Sequence, residues 1–302
     1  MPENTAITSE QIRKAAQIIK QTRPAYTAML EFYEQIFTAQ KDSESRTHIP
    51  PIQISEETLK SRAKENIPLL SLSEFAIDTE SSELLFREIC LITEKADNHI
   101  SAAARVIRQA SDSKKIDPKI LFAALISEDD VYFENISQEL ETDKKMLAFI
   151  AYNSIQPSLC LCAEQVSGFR AQVSGFCPIC GSKPLISFLD GQGEHVLICG
   201  FCQHKWQIQR ILCPFCGNTD SKSLHYIYTE EEKEYRTDVC EKCRSYIKTV
   251  DIRRMNRPFY PPLEQIASLH LDIKATEFAT NEHNQSYKMG FTNKKITNFF
   301  NM

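Results

Sequence analysis

The chain is expected to be an α+β protein. An N-terminal all-α helical domain should occupy residues 1–168. Two small four-cysteine units with short antiparallel β-strands should follow, over 169–212 and 213–302, the second ending in a C-terminal helix. Three observations lead there. Of eleven cysteines, only Cys90 precedes residue 160, and ten lie between Cys160 and Cys243. Eight of these ten form four CxxC pairs. Ahead of them, apolar residues recur at helical spacing and no glycine occurs before Gly168.

The helices are justified in order. Thr8 and Gln11 fit a capping box at the start of a helix over residues 8–22, with Ile12, Ala15, Ala16 and Ile19 on one face. Pro24 suits the first turn of a second helix, striped by Met29, Phe32, Tyr33 and Ile36. A polar loop follows over 41–51. Ser55 caps a third helix that ends by Pro68. A long helical pattern from Ser82 to Arg108 carries Leu85, Ile89, Ile92, Ala96, Ile100, Ala104 and Ile107. Asp117-Pro118 reads as N-cap and first helical residue. Leu147, Ile150, Ala151 and Ile155 define one more helix, which Pro157 should stop.

Bulk properties narrow the class. The 302 residues carry a formal charge of -5, with 42% hydrophobic and 25% charged residues, as in a globular protein of two or three domains. The apolar run Ile120–Ile126 is far shorter than the ~20 residues a bilayer requires, so membrane insertion is not expected. No basic start followed by an apolar core marks a secretory leader, so the expected compartment is the cytosol. Disulfides do not persist there, and the cysteines need another chemistry. The glycine-free front half excludes phosphate loops of the GxGxxG or Walker type. Cys90 should pack as a small apolar residue. Cys160 and Cys162, at a helix end, should be structural.

Sequential pairing of the CxxC units gives C-x2-C-x18-C-x2-C from Cys177, Cys180, Cys199 and Cys202, and C-x2-C-x23-C-x2-C from Cys213, Cys216, Cys240 and Cys243. Interleaved pairing would close longer loops at greater entropic cost. Two residues between cysteines make a tight turn that aims both sulfurs at one point, and two such turns supply a tetrahedral four-thiolate shell. Cys177-Pro-Ile-Cys-Gly181 and Cys213-Pro-Phe-Cys-Gly217 share a Pro/Gly pattern, whereas Cys202 and Cys243 are followed by Gln203 and Arg244. The repeated asymmetry indicates two copies of one small unit, each holding one metal ion. Tetrahedral sulfur suits iron and zinc alike. A dithiol-exchange reading is disfavoured because no βαβ setting surrounds any pair.

Short β-like runs separate the turns. Leu185–Leu189 and His195–Ile198 flank the turn Asp190–Gly193, and Lys205–Leu212 follows. Leu224–Tyr228 and Tyr235–Val239 flank an acidic turn over 230–234, and Tyr246–Ile252 follows. This is a zinc-ribbon or rubredoxin-like layout, in which metal replaces a core that units of this size cannot form. His195 and His204 stand near the ligands and are expected at the surface. Trp206 and Tyr246 are expected to pack beside the sites.

The order CPICG, CxxC with Trp206 and Arg210, CPFCG, then CEKCRSYIKTVD resembles the formate dehydrogenase accessory protein family, FdhE. Ile67-Pro-Leu-Leu70, Phe75-Ala-Ile-Asp78 and Leu269-His-Leu-Asp272 share the resemblance, while Cys160, Cys162 and the tail 281–302 fall outside it. The resemblance implies a cytoplasmic accessory factor rather than an enzyme. It implies a formate dehydrogenase catalytic subunit as partner, with the eight CxxC cysteines holding two metal ions, iron or zinc, structural or redox-active. No small-molecule substrate is expected.

Two rivals remain open on the residues alone. A nucleic-acid-binding zinc ribbon would need a basic surface. Residues 166–260 hold thirteen Lys/Arg against ten Asp/Glu, and two divalent ions on eight thiolates would turn that surplus slightly negative. Nucleic acid is therefore not expected as partner. A rubredoxin-like electron-transfer module would change its visible absorption reversibly on reduction.

Overall fold

A computed structural model describes residues 7–96, 99–169, 175–229, 231–275 and 288–289. The remainder of the tail 281–302 lies outside the described residues. The chain divides into two compact units, one helical and one built around a sheet.

The helical unit draws on 31–53 and 70–165. It contains most of α2 (Thr27–Glu44), then α4 (Thr79–Glu94), α5 (His99–Asp112), α6 (Pro118–Ile126), α7 (Asp130–Glu139) and nearly all of α8 (Lys144–Val166). Aspartates start three of these helices: Asp78, Asp117 and Asp129 each accept a backbone N–H of the first turn. Leu85, Phe86, Ile89, Phe122, Leu147 and Ile150 form its core. Cys90 is fully buried there, and burial pushes its thiol up to about 12. Cys162 donates to the Ala76 carbonyl at 3.2 Å, while Cys160 accepts from Gln156 within α8. Both fit structural roles.

Several boundaries differ from expectation. The periodic stretch from Ser82 to Arg108 falls into two helices, α4 ending at Glu94 and α5 beginning at His99. Helix α2 runs through Glu44, into the stretch expected to be loop, and Met29 on its expected apolar stripe is 39% exposed. Helix α7 was not anticipated. The largest difference is at Pro157, which does not stop α8. A proline in a helix leaves the carbonyl four residues earlier without its donor. Here that carbonyl, on Asn153, accepts from the Gln40 side chain at 2.9 Å, and the same amide also reaches Asn153 Oδ1. A distant glutamine supplies the missing bond. Helix α8 is also long and apolar enough to cross a membrane, but 83% of its most apolar window is buried within the protein.

The sheet unit contains α1 (Ser9–Thr22), α3 (Glu56–Lys64) and the strands β1 (Pro184–Leu189), β2 (His195–Cys199), β3 (Lys205–Ile208), β4 (Leu224–Tyr228), β5 (Tyr235–Cys240) and β6 (Ser245–Asp251). Then come α9 (Pro261–Ala267), further helix over 269–275, and β7 (Lys288–Met289). The capping box of Thr8 and Gln11 and the cap of Ser55 form as expected. The strand order is β3-β2-β1-β6-β5-β4, with β7 also pairing β6. Two antiparallel three-stranded units thus meet along one parallel seam, where Ser187, Phe188 and Leu189 pair with Thr249, Val250 and Asp251. The seam strands are buried on both faces, while the outer strands β3 and β4 alternate or lie open.

Two buried charged side chains of this core are each paired. Lys248, with a fully buried side chain, donates to Asp272 at 2.8 Å and to the Gln265 carbonyl at 2.9 Å. Glu264, equally buried, is held by Arg257 and by the Tyr235 hydroxyl. Buried charges are tolerated when paired and hydrogen-bonded in this way.

Gln40→Ala should destabilise the helical unit by about 1–3 kcal/mol, because it leaves a buried carbonyl unsatisfied. Urea unfolding of the variant measures this.

Candidate metal centres

The two CxxC groups assemble in sequential pairs. Cys177, Cys180, Cys199 and Cys202 form one group, and Cys213, Cys216, Cys240 and Cys243 the other, the four sulfurs of each group lying within 4.8 Å of one another. In each group, one pair lies in the turn before the first strand of its unit, and the other begins at the end of the second strand, at Cys199 of β2 and Cys240 of β5.

The turns share one backbone design. Cys177, Cys199 and Cys213 each donate their N–H to the carbonyl five residues on, at 2.8–2.9 Å. The residue after each CxxC then adopts a left-handed conformation. Gly181 and Gly217 have φ of 74° and 71°, as the Pro/Gly pattern leads one to expect. Gln203 and Arg244 adopt 58° and 55° without being glycine. The plainer turns therefore reach the same geometry and carry the strain that glycine avoids. Gly175 serves a different need: a Cβ there would lie 1.4 Å from the Pro214 carbonyl oxygen, so backbone packs directly on backbone beside the second group.

The sulfur spacing fits a bound ion. A tetrahedron with metal–sulfur bonds of ~2.3 Å has sulfur–sulfur edges of about 3.8 Å. The edges here are 3.7, 3.4 and 3.6 Å in the first group, and 3.6 and 3.8 Å in the second. Each group could hold one metal ion, in a shell that matches zinc or iron.

Protons are shared unevenly among these thiols. Burial opposes a Cys180 thiolate, but hydrogen bonds from Cys177, Cys199 and Cys202 outweigh it and hold its pKa well below the ordinary value. Burial raises Cys199 well above it, and the hydrogen bond with Cys177 does so for Cys202. In the second group the hydrogen bond from Cys213 lowers Cys243 to about 5, and the same bond raises Cys213.

The histidines depart from expectation. His195 is buried, 3% exposed, because β2 turns it inward against β1, where its Nε2 lies 3.0 Å from Ser187 Oγ. Ser187 Oγ in turn lies 2.5 Å from Thr249 Oγ1, and Thr249 donates to Asp238. This row crosses the parallel seam. His204 is half-buried and stacks on the Trp206 ring at 6.4 Å, while its carbonyl accepts the Cys199 N–H. Trp206 and Tyr246 are both buried, as expected of packing residues.

The sequence read alone missed the polar row. It also gave no role to the clamp on the first group: Leu69 donates its N–H to the Pro178 carbonyl at 3.0 Å, and the Pro68 ring fills the space over Gly181. The motif Ile67–Leu70 was legible, but what it touches was not.

A helical unit joined in sequence to a sheet with twin four-cysteine, zinc-ribbon-like groups defines a class of candidate metal-binding protein. Comparisons carry this further. Residues 176–210 match the family model "FdhE, central domain". An FdhE homologue of Aquifex aeolicus (strain VF5) is 29% identical over 266 residues, covering 86% of this chain and 88% of that one. One of Haemophilus influenzae (strain PittGG) is 25% identical over 273 residues, covering 87% and 82%. The crystal structure of the FdhE protein from Pseudomonas aeruginosa superposes with a TM-score of 0.62 over 94% of this chain and 95% of that one, at 16% identity, and supports the fold. Along most of its length the chain is similar to FdhE proteins.

Two measurements check this geometry. Arg244→Gly should stabilise the sheet unit by about 1 kcal/mol by relieving left-handed strain, read as a raised unfolding midpoint. Burial depresses the His195 pKa, so its contribution to stability is present above the unfolded value of about 6.5 and is lost as pH falls through the lower folded value. His195→Gln should therefore reduce the acid-side slope of stability against pH.

Proposed function

We propose that this protein is a cytoplasmic accessory factor, not an enzyme, that binds the catalytic subunit of a formate dehydrogenase during its maturation. Its eight CxxC cysteines bind two metal ions, iron or zinc. The observation that carries this reading is the pair of four-sulfur groups with tetrahedral edges, in a chain aligned with FdhE homologues over more than four-fifths of its length. The ions would hold the knuckle turns in register, because thiolates from two separate turns would converge on one ion. The outer surface of the sheet unit would then keep its shape for the partner.

Anaerobic purification should yield two metal ions per chain by elemental analysis. Cys177→Ser and Cys213→Ser should each remove one ion and lower the thermal midpoint. The whole chain, used as bait in an anaerobic pull-down from its native host, should recover a formate dehydrogenase catalytic subunit. Full metal content in both variants would reject the ligand assignment. Recovery of nucleic acid or ribosomal proteins instead would reject the accessory role. Iron would announce itself by visible absorption that bleaches on reduction, whereas zinc would be silent.

A further inference from the structure

The two four-cysteine groups share a turn design but not their surroundings. In the first, three cysteines are buried and Cys180 is half-buried. In the second, Cys213 and Cys240 are buried, Cys243 is half-buried and Cys216 is exposed. The contrast extends to the turns. No residue of 177–182 or 199–204 is exposed, whereas Cys216, Gly217, Lys242 and Arg244 all are. Matched positions make the point sharply. Ile179 is fully buried where Phe215 is half-buried, and Phe201 is buried where Lys242 is exposed. The first group is also roofed by the Pro68–Leu69 clamp.

Resting on the metal-binding reading above, we infer that the two centres divide by accessibility. The first is a closed, structural centre. The second is an exchange centre, at which an incoming anionic soft donor displaces the Cys216 thiolate while the chain stays folded. The step needs no redox change. In that exchange the incoming donor would take the place of the Cys216 sulfur, which would leave as a thiolate and take a proton from water, with no electron transferred. Ligand replacement at a four-coordinate ion requires approach of the entering group, and burial in the first centre blocks that approach. Lys242 and Arg244, exposed on either side of Cys243, present positive charge to a negatively charged donor. The matched positions in the first centre, Phe201 and Gln203, carry none. A thiolate of a partner protein is a donor of this chemical class.

The test uses the full chain loaded with zinc and challenged with 4-(2-pyridylazo)resorcinol, an anionic chromophoric chelator, with circular dichroism followed in parallel. One ion should leave at least about tenfold faster than the other, with the dichroism unchanged during the fast phase. Brief iodoacetamide treatment followed by peptide mass spectrometry should label Cys216 and Cys243 before any of the first four cysteines. Lys242→Gln with Arg244→Gln should slow the fast phase about threefold to tenfold and leave the slow phase alone. Cys216→Ser should remove the fast phase, and the alkylation map of the unaltered chain tests the same point if that variant does not fold. Release of both ions in one phase, or labelling of Cys180 as early as Cys216, would overturn the inference. A starting content below two ions would instead overturn the metal-binding reading itself.

Discussion

The parallel pairing of β1 with β6 is the interaction on which the rest of the sheet unit depends. Each three-stranded unit has too little apolar surface to form a core of its own. Joined along the seam, β1 and β6 become central strands covered on both faces, and the buried residues of the two units become continuous. The seam also sets the polar economy of the interior. On one face Ser187, Thr249 and Asp238 bond in a row with His195. Elsewhere Lys248 meets Asp272, and Glu264 meets Arg257 and Tyr235, because a buried charge is stable only when paired. Arg23, from the end of α1, extends this network by pairing with Glu232 and lying over the Tyr235 ring at 5.7 Å.

Much of this architecture was legible because its determinants are local. CxxC spacing, the Pro/Gly signature, the Asp190–Gly193 hairpin and the capping residues Thr8, Ser55 and Asp117 act within a few residues of chain, and sequence displays them directly. What was hidden depends on partners far away. Pro157 reads as a helix stop until Gln40, more than a hundred positions earlier, caps the freed carbonyl. His195 reads as a surface residue until β1 and β6 supply Ser187 and Thr249. Gln203 and Arg244 gave no sign of left-handed backbone, because the requirement comes from closing the turn and not from the residue itself. The eight ligand candidates needed only short-range logic, and their grouping in space follows the sequential pairing that loop entropy favours.

The clamp over the first group shows how a front-half motif serves the back half. Ile67–Leu69 follows α3 in the chain and belongs to the sheet unit, although its sequence neighbours from Leu70 onward belong to the helical one. Its backbone bond to Pro178 and the packing of Pro68 on Gly181 lock a turn whose own hydrogen bonds number only a few. Arg62 steadies the clamp by donating to the Leu69 carbonyl at 2.8 Å. The glycine at 181 therefore answers two demands at once, a positive φ and the room for a proline ring. Gly217, which has no atom within 4 Å of its would-be Cβ, answers only the first.

That difference follows from how the two copies are joined. Two identical ribbons paired through the same edge would be related by a twofold axis, and their metal groups would share one environment. Here the first strand of one copy pairs with the third strand of the other. A head-to-tail seam of this kind uses unlike edges, so it cannot give the copies equivalent surroundings. The outer edges become β3 in the first copy and β4 in the second. On β4, Tyr226 and Tyr228 are more than half exposed, while on β3 Trp206 is buried. Unequal cover of the two four-sulfur groups is thus built into the topology, and the Pro68–Leu69 clamp deepens an asymmetry that the sheet order already imposes.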